Sequence, residues 1–100
     1  MSANVREREV EGYLRRRVEE QGGVCEKFVP DLDSGMPDRI VMLPGGVLVW
    51  VETKKPKGGK VSGIQKYQHK RLRRLGQAVE IVWTKEQADD LVARYAAPRT

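Results

Sequence analysis

One hundred residues with 19 Lys and Arg against 14 Asp and Glu, a formal charge of +5 and an isoelectric point near 9.6 describe a small basic chain. That length reads as one domain, 1–100, too short for separate binding and catalytic modules, so any activity has to be built into the core elements. A composition 39% hydrophobic and 33% charged excludes a disordered or fibrous chain, and the basic balance favours a polyanionic partner, nucleic acid first. Cys25 is the only cysteine, which excludes an internal disulfide framework and a thiolate zinc cluster; it lies in an apolar stretch and reads as a buried small hydrophobe. No apolar run approaches the ~20 residues of a membrane span, and Arg6, Glu7, Arg8 and Glu9 leave no room for a signal-peptide core, so a soluble, unexported, cytoplasmic protein is expected.

From 5 to 21 the chain is rich in Glu, Arg and Leu, and Val10, Leu14 and Val18 recur every fourth residue, as one face of a helix requires. Gly22 and Gly23 end it. A strand is expected over 24–29, then a loop over 30–37 containing Asp31, Asp33, Ser34 and Gly35, then a second strand over 38–43. Pro44, Gly45 and Gly46 form a turn into 47–54, the most apolar stretch, which reads as a strand buried on both faces and as the second arm of a β-hairpin. Pro56, Gly58 and Gly59 break regular structure, and Lys54, Lys55, Lys57 and Lys60 make that break a basic, mobile loop. Ser62 with Gln65 three residues later forms a capping box opening a second helix, which Gly76 closes. A fourth strand over 77–83 follows, then Thr84 and Gln87 repeat the capping pattern before a helix over 85–95 and a frayed tail at 98–100. The order is α-β-β-β-α-β-α: an α/β mixed sheet flanked by helices, with a right-handed parallel crossover between the last two strands.

The hairpin register brings the chemistry together. A three-residue loop sets Leu43 opposite Val47 and pairs Met42 with Leu48, Ile40 with Trp50 and Asp38 with Glu52; two carboxylates become cross-strand neighbours, and alternation puts Lys54, Trp50 and Leu48 on the face of Glu52. Opposed like charges destabilise a sheet unless a cation lies between them, and hard carboxylate oxygens suit Mg²⁺ or Mn²⁺. An ammonium beside that cation stabilises charge on a phosphoryl oxygen while the cation activates water, a set sufficient for phosphodiester hydrolysis. The plainer alternative makes Asp38 a turn residue after a proline and Glu52 and Lys54 surface charges at a strand end. Position argues against it, since both extend an apolar strand where burying them without purpose is costly.

Pro37-Asp38 followed by Glu52-Thr53-Lys54 resembles the PD-(D/E)XK nuclease signature. Gly35-Met36-Pro37-Asp38-Arg39-Ile40, Pro44-Gly45-Gly46, Val51-Glu52-Thr53-Lys54 and Ser62 with Gln65 resemble its VRR-NUC branch, over residues 5–82. The resemblance implies a restriction-endonuclease-like fold, Asp38 and Glu52 as metal ligands with the main-chain carbonyl of Thr53 as a third, and Lys54 as the catalytic lysine. It also implies a glutamate on the first helix, best matched by Glu11 with Glu7 the competitor one turn earlier, and a glutamine near the active site, matched by Gln65. Ser62 and Gln65 at the helix N-terminus favour a phosphate there.

Lys66, His69, Lys70, Arg73 and Arg74 cluster away from Ile64, Leu72 and Leu75 as a basic stripe that continues the loop of Lys55, Lys57 and Lys60; with Ser62 this is the expected phosphate-backbone surface, His69 included. Trp50 and Trp83 lie in apolar runs and read as core. Gly58-Gly59-Lys60 is no P-loop, because the first glycine is missing and Val61 stands where a Ser or Thr is needed. One chain carries one Asp38–Glu52–Lys54 centre, so coordinated cutting of two strands needs a second copy. A symmetric homodimer acting on branched DNA like a Holliday-junction resolvase is therefore expected, and the resemblance points the same way, to a phage protein working in a bacterial cell. A non-catalytic nucleic-acid-binding module and a small structural protein are the rivals.

Overall fold

The computed structural model describes residues 5–30 and 34–96; Asp31 and Asp33 of the expected loop and the expected tail at 98–100 lie outside the described residues. The chain runs α1 (Glu7–Glu20), β1 (Val24–Lys27), β2 (Arg39–Leu43), β3 (Val47–Thr53), α2 (Gly63–Arg74), β4 (Ala78–Val82) and α3 (Lys85–Tyr95), in the expected order. Val10, Leu14 and Val18 of α1 are wholly buried, and acidic Glu7 and Glu9 occupy its first turn, where the helix dipole favours them. Both downstream caps form: Ser62 Oγ accepts from Gln65 N at 3.2 Å and Gln65 Oε1 from Ser62 N at 2.9 Å, while Thr84 Oγ1 accepts from Gln87 N at 3.0 Å. Gln87 Oε1 reaches one residue further back than a capping box does, to Trp83 N at 2.7 Å.

The sheet order is β1-β2-β3-β4, with β1, β2 and β3 antiparallel and β4 parallel to β3. The register is the one the three-residue loop dictates, Leu43 with Val47 through Ile40 with Trp50 and on to Arg39 with Val51. Gly45 at φ 94° and Gly46 at φ 79° make that turn possible, since two successive left-handed residues strain any side chain bearing a Cβ.

α1 and α3 cover one face of the sheet, where Val41, Leu43, Val49, Val51 and Val82 join Val10, Leu14, Val18, Ala88, Leu91 and Val92 in one core. α2 lies on the other face, over β4 and the end of β3. Two expectations are corrected here. β3 is not buried on both faces, because α2 packs chiefly over β4: Leu48 is 40% exposed and Trp50 half-buried edge-on against Phe28, and Trp83 is likewise half-buried. The inner face of α2 is also not Ile64, Leu72 and Leu75, since Leu72 is buried but Ile64 is 53% and Leu75 67% exposed.

Candidate active site where β2 and β3 part

The ladder between β2 and β3 stops at Arg39–Val51, one residue short of Asp38 and Glu52. Asp38 keeps its carbonyl on the β1 side, accepting from Phe28 N at 2.9 Å, while its side chain takes over the other side: Oδ1 accepts from Thr53 N at 3.0 Å. The strand therefore ends by exchanging a main-chain acceptor for a carboxylate. Gly35, at φ 74°, lets the approach to Asp38 lie against α2, where a Cβ would meet Ile64 main chain at 2.8 Å, and Gln68 Nε2 donates to Ser34 O at 2.7 Å. Asp38 is thus hydrogen-bonded to the chain on both sides of it, at Phe28 and at Thr53.

Glu52 is 3% exposed and faces α2. Gln65 Nε2 donates to its Oε2 at 3.3 Å, Lys54 Nζ lies 3.8 Å from the same oxygen, and Lys54 Nζ donates to Gln65 Oε1 at 3.0 Å. The oxygen of Gln65 thus caps the helix and holds Lys54, while its amide holds Glu52. Burial, with Asp38 nearby, pushes the Glu52 carboxyl up to about 7; burial also raises Asp38, against the two hydrogen bonds from Thr53.

His69 corrects the sequence reading. It does not lie on the basic surface; it is 2% exposed, with Nε2 3.5 Å from Glu52 Oε1. Both atoms are buried without a hydrogen-bond partner. Burial, then the charges of Arg73 and Lys54, hold the imidazole below its ordinary pKa, which disfavours an ion pair with Glu52. The available signal was its spacing, one helical turn beyond Gln65; the surrounding lysines and arginines hid it.

On the other face, Thr53 Oγ1 lies 2.7 Å from Asp38 Oδ2 and 3.0 Å from Glu11 Oε1, and its one proton serves only one of them at a time. Arg39 Nη2 donates to Glu11 Oε2 at 2.7 Å. Of the two helix carboxylates, Glu11 is the one hydrogen-bonded to the Asp38 cluster. Glu7 is more exposed, and its pKa is raised by partial burial and then by the charges of Glu11 and Asp38.

Lys55, Lys57, Lys60, Ser62, Lys66 and Lys70 are all exposed, and Lys66, Lys70, Arg73 and Arg74 line a shallow depression along α2. Among the described residues no three histidine, cysteine or carboxylate side chains converge as a ready-made metal cage. The site nonetheless fits a hard divalent cation. Carboxylate oxygens outnumber their donors, Glu52 Oε1 is buried unpartnered, and burial above all raises the pKa of both Asp38 and Glu52, a cost of burying charge that a bound cation would offset. Mg²⁺ in particular takes one or two carboxylates and keeps several waters, so a three-carboxylate cage is not required.

Among proteins of known sequence, the chain is 40% identical over 78 residues to "Putative nuclease p44" of Acyrthosiphon pisum secondary endosymbiont phage 1, an alignment spanning 78% of this chain and 83% of that protein. A solved structure described as a VRR_NUC domain superposes with a TM-score of 0.82 at 37% identity, over 89% of this chain and 96% of that one. No family model matches the chain.

Proposed function

The chain belongs to the VRR-NUC family of nucleases, and from that premise we propose that it is a Mg²⁺-dependent endonuclease of DNA, with Mn²⁺ as a substitute, built as one domain around Asp38, Glu52 and Lys54. The observation that carries this reading is the buried Glu52 carboxyl, held by Gln65 Nε2 and 3.8 Å from the Lys54 ammonium, with one oxygen unpartnered. Asp38, Glu52 and the carbonyl of Thr53 would hold the cation, which when bound lowers the pKa of water and polarises the phosphate. Lys54, held by Gln65 Oε1, supplies a positive charge for a phosphoryl oxygen. Gln65 fixes Lys54 and Glu52 relative to each other, and Glu11, restrained by Arg39 and Thr53, sets the orientation of the Asp38 side. The exposed lysines of the loop after β3 and of α2 would carry the DNA backbone, with Ser62 at the helix N-terminus.

The substrate follows from arithmetic. One hydrolytic centre per chain serves one strand, so a homodimer with two centres suits branched DNA such as a four-way junction. This assignment predicts that Glu52→Gln lowers cleavage of a four-way junction in Mg²⁺ on the order of a hundredfold or more with folding intact. Full activity of that variant, or of the wild type in excess EDTA, overturns the site. Paired nicks and a dimer mass by light scattering support the junction reading; a monomer making single unpaired nicks ends that part of it and leaves the centre standing. DNA binding with no cleavage under any divalent cation reassigns the protein to a binding module.

A further inference from the structure

We propose that His69 is a positioning residue for Glu52, its Nε2–H holding one carboxylate oxygen while Gln65, one turn earlier on α2, holds the other. The inference rests on the reading of Glu52 as a cation ligand. Its basis is geometric. Glu52 Oε2 has Gln65 Nε2 at 3.3 Å and Lys54 Nζ at 3.8 Å, whereas Oε1 has no hydrogen-bond partner and faces His69 Nε2, itself without one, at 3.5 Å. Buried polar atoms are almost always paired, so two orphans pointed at each other are each other's natural partner. The span is too short to admit a water, and a few tenths of an ångström of side-chain movement closes it into a hydrogen bond.

Residues 65 and 69 stand four apart in α2 and therefore project from the same side of the helix. Together they form a two-point grip on one carboxylate. The tautomer follows from the partner: only a proton on Nε2 gives Oε1 a donor, and that proton is present on the imidazole in one neutral form as well as in the charged one. Each carboxylate oxygen keeps a lone pair after accepting one such bond, so the grip orients Glu52 without using up its capacity for a cation. Donors behind a ligand carboxylate set its direction and basicity, and losing one commonly weakens metal binding about ten- to a hundredfold. A purely packing role for His69 predicts no such dependence on the nitrogen.

The experiment separates ring from donor. His69→Phe keeps a flat ring and removes the donor; His69→Gln removes the ring and keeps a terminal N–H. Mn²⁺ binding in the absence of DNA is measured by calorimetry, with thermal melting as the fold check and kcat and KM for DNA cleavage alongside. His69→Phe is expected to weaken Mn²⁺ about tenfold or more and to lower kcat with KM for DNA unchanged, because His69 is buried away from the exposed basic surface. His69→Gln is expected to recover most of both. Should the Phe variant melt early, His69→Leu takes its place with the same expectation. Wild-type Mn²⁺ affinity in the donorless variant, or equal impairment of the Phe and Gln variants, overturns the proposal. Glu52→Gln run in parallel tells the two failures apart: if it binds Mn²⁺ and cuts normally, the reading of the centre itself has failed, whereas an inactive Glu52→Gln beside a normal His69→Phe removes only His69.

Discussion

α1 and α2 are helices of similar length and similarly uneven polarity, yet they are attached in opposite ways. α1 sinks Val10, Leu14 and Val18 completely into the core and meets α3 at a polar rim, where Tyr13 Oη donates to Asp89 Oδ1 at 2.7 Å and Arg17 Nε donates to the same oxygen at 2.9 Å. α2 buries only Leu72 and His69 and leaves Ile64, Tyr67 and Leu75 in solvent. Much of what else holds α2 is polar: the contacts of Gln65 and His69 with Lys54 and Glu52, Gln68 Nε2 on Ser34 O and Arg73 Nη2 on Val79 O. The helix that completes the candidate site is therefore docked in good part by the site, whereas α1 would stay in place without it.

That contrast breaks first on apolar truncation. Leu14→Ala should cost about 2–5 kcal/mol in urea unfolding, and Leu72→Ala should fall near the low end of that range, about 2 kcal/mol, because its surroundings are open enough to relax. Equal losses would mean α2 is clasped as firmly as α1. A finer division comes from the two helix caps. Ser62→Ala and Thr84→Ala should each cost about 1 kcal/mol, but only Ser62→Ala should also slow DNA cleavage, since its partner Gln65 is shared with Lys54 and Glu52 while Gln87 touches no site residue. A cleavage assay in which both variants behave alike removes the coupling. The smallest effect concerns the α1–α3 rim. The Tyr13 hydroxyl, and then Arg17, hold the Asp89 carboxyl below its ordinary value of 3.8. A folded-state pKa below the unfolded one stabilises the fold above the unfolded value and loses that stabilisation as pH falls through the folded value. Asp89→Asn should therefore melt slightly below wild type at pH 7, with the gap closing in melts below pH 3.8; a gap that persists in acid assigns it to packing instead.

The fold was legible because its punctuation is local. Gly45 and Gly46 fix a three-residue turn and the turn fixes the register as far as Arg39–Val51; the expected Asp38–Glu52 pair falls one step beyond the ladder, where the Asp38 carboxylate takes Thr53 as its partner instead. Ser62 with Gln65 and Thr84 with Gln87 marked two helix starts to the residue. What the sequence hid was which side of α2 faces inward. Its lysines and arginines surround His69 so closely that periodicity assigned the histidine to their surface, and Ile64 and Leu75 looked like core when the sheet beneath does not extend to cover them. The apolar run of β3 misled as well, implying two covered faces although only that of Val49 and Val51 is sealed. Which of Glu7 and Glu11 is hydrogen-bonded to the Asp38 cluster turned on tertiary partners, Arg39 and Thr53, that no helical spacing discloses.

Cys25 is 6% exposed on β1 and its thiol is pushed up to about 11, chiefly by burial. Thiol chemistry runs through the thiolate, so in the closed protein this sulfur is doubly silent, screened from reagents and protonated. Because β1 lies under α1 and beside β2, exposing the sulfur requires the best-packed part of the molecule to open. Alkylation by a small maleimide would then proceed at the rate, or in proportion to the population, of that opening. The lone cysteine makes the native chain its own unfolding clock, one that needs no inserted label and that ligands of the far face of the sheet can be timed against.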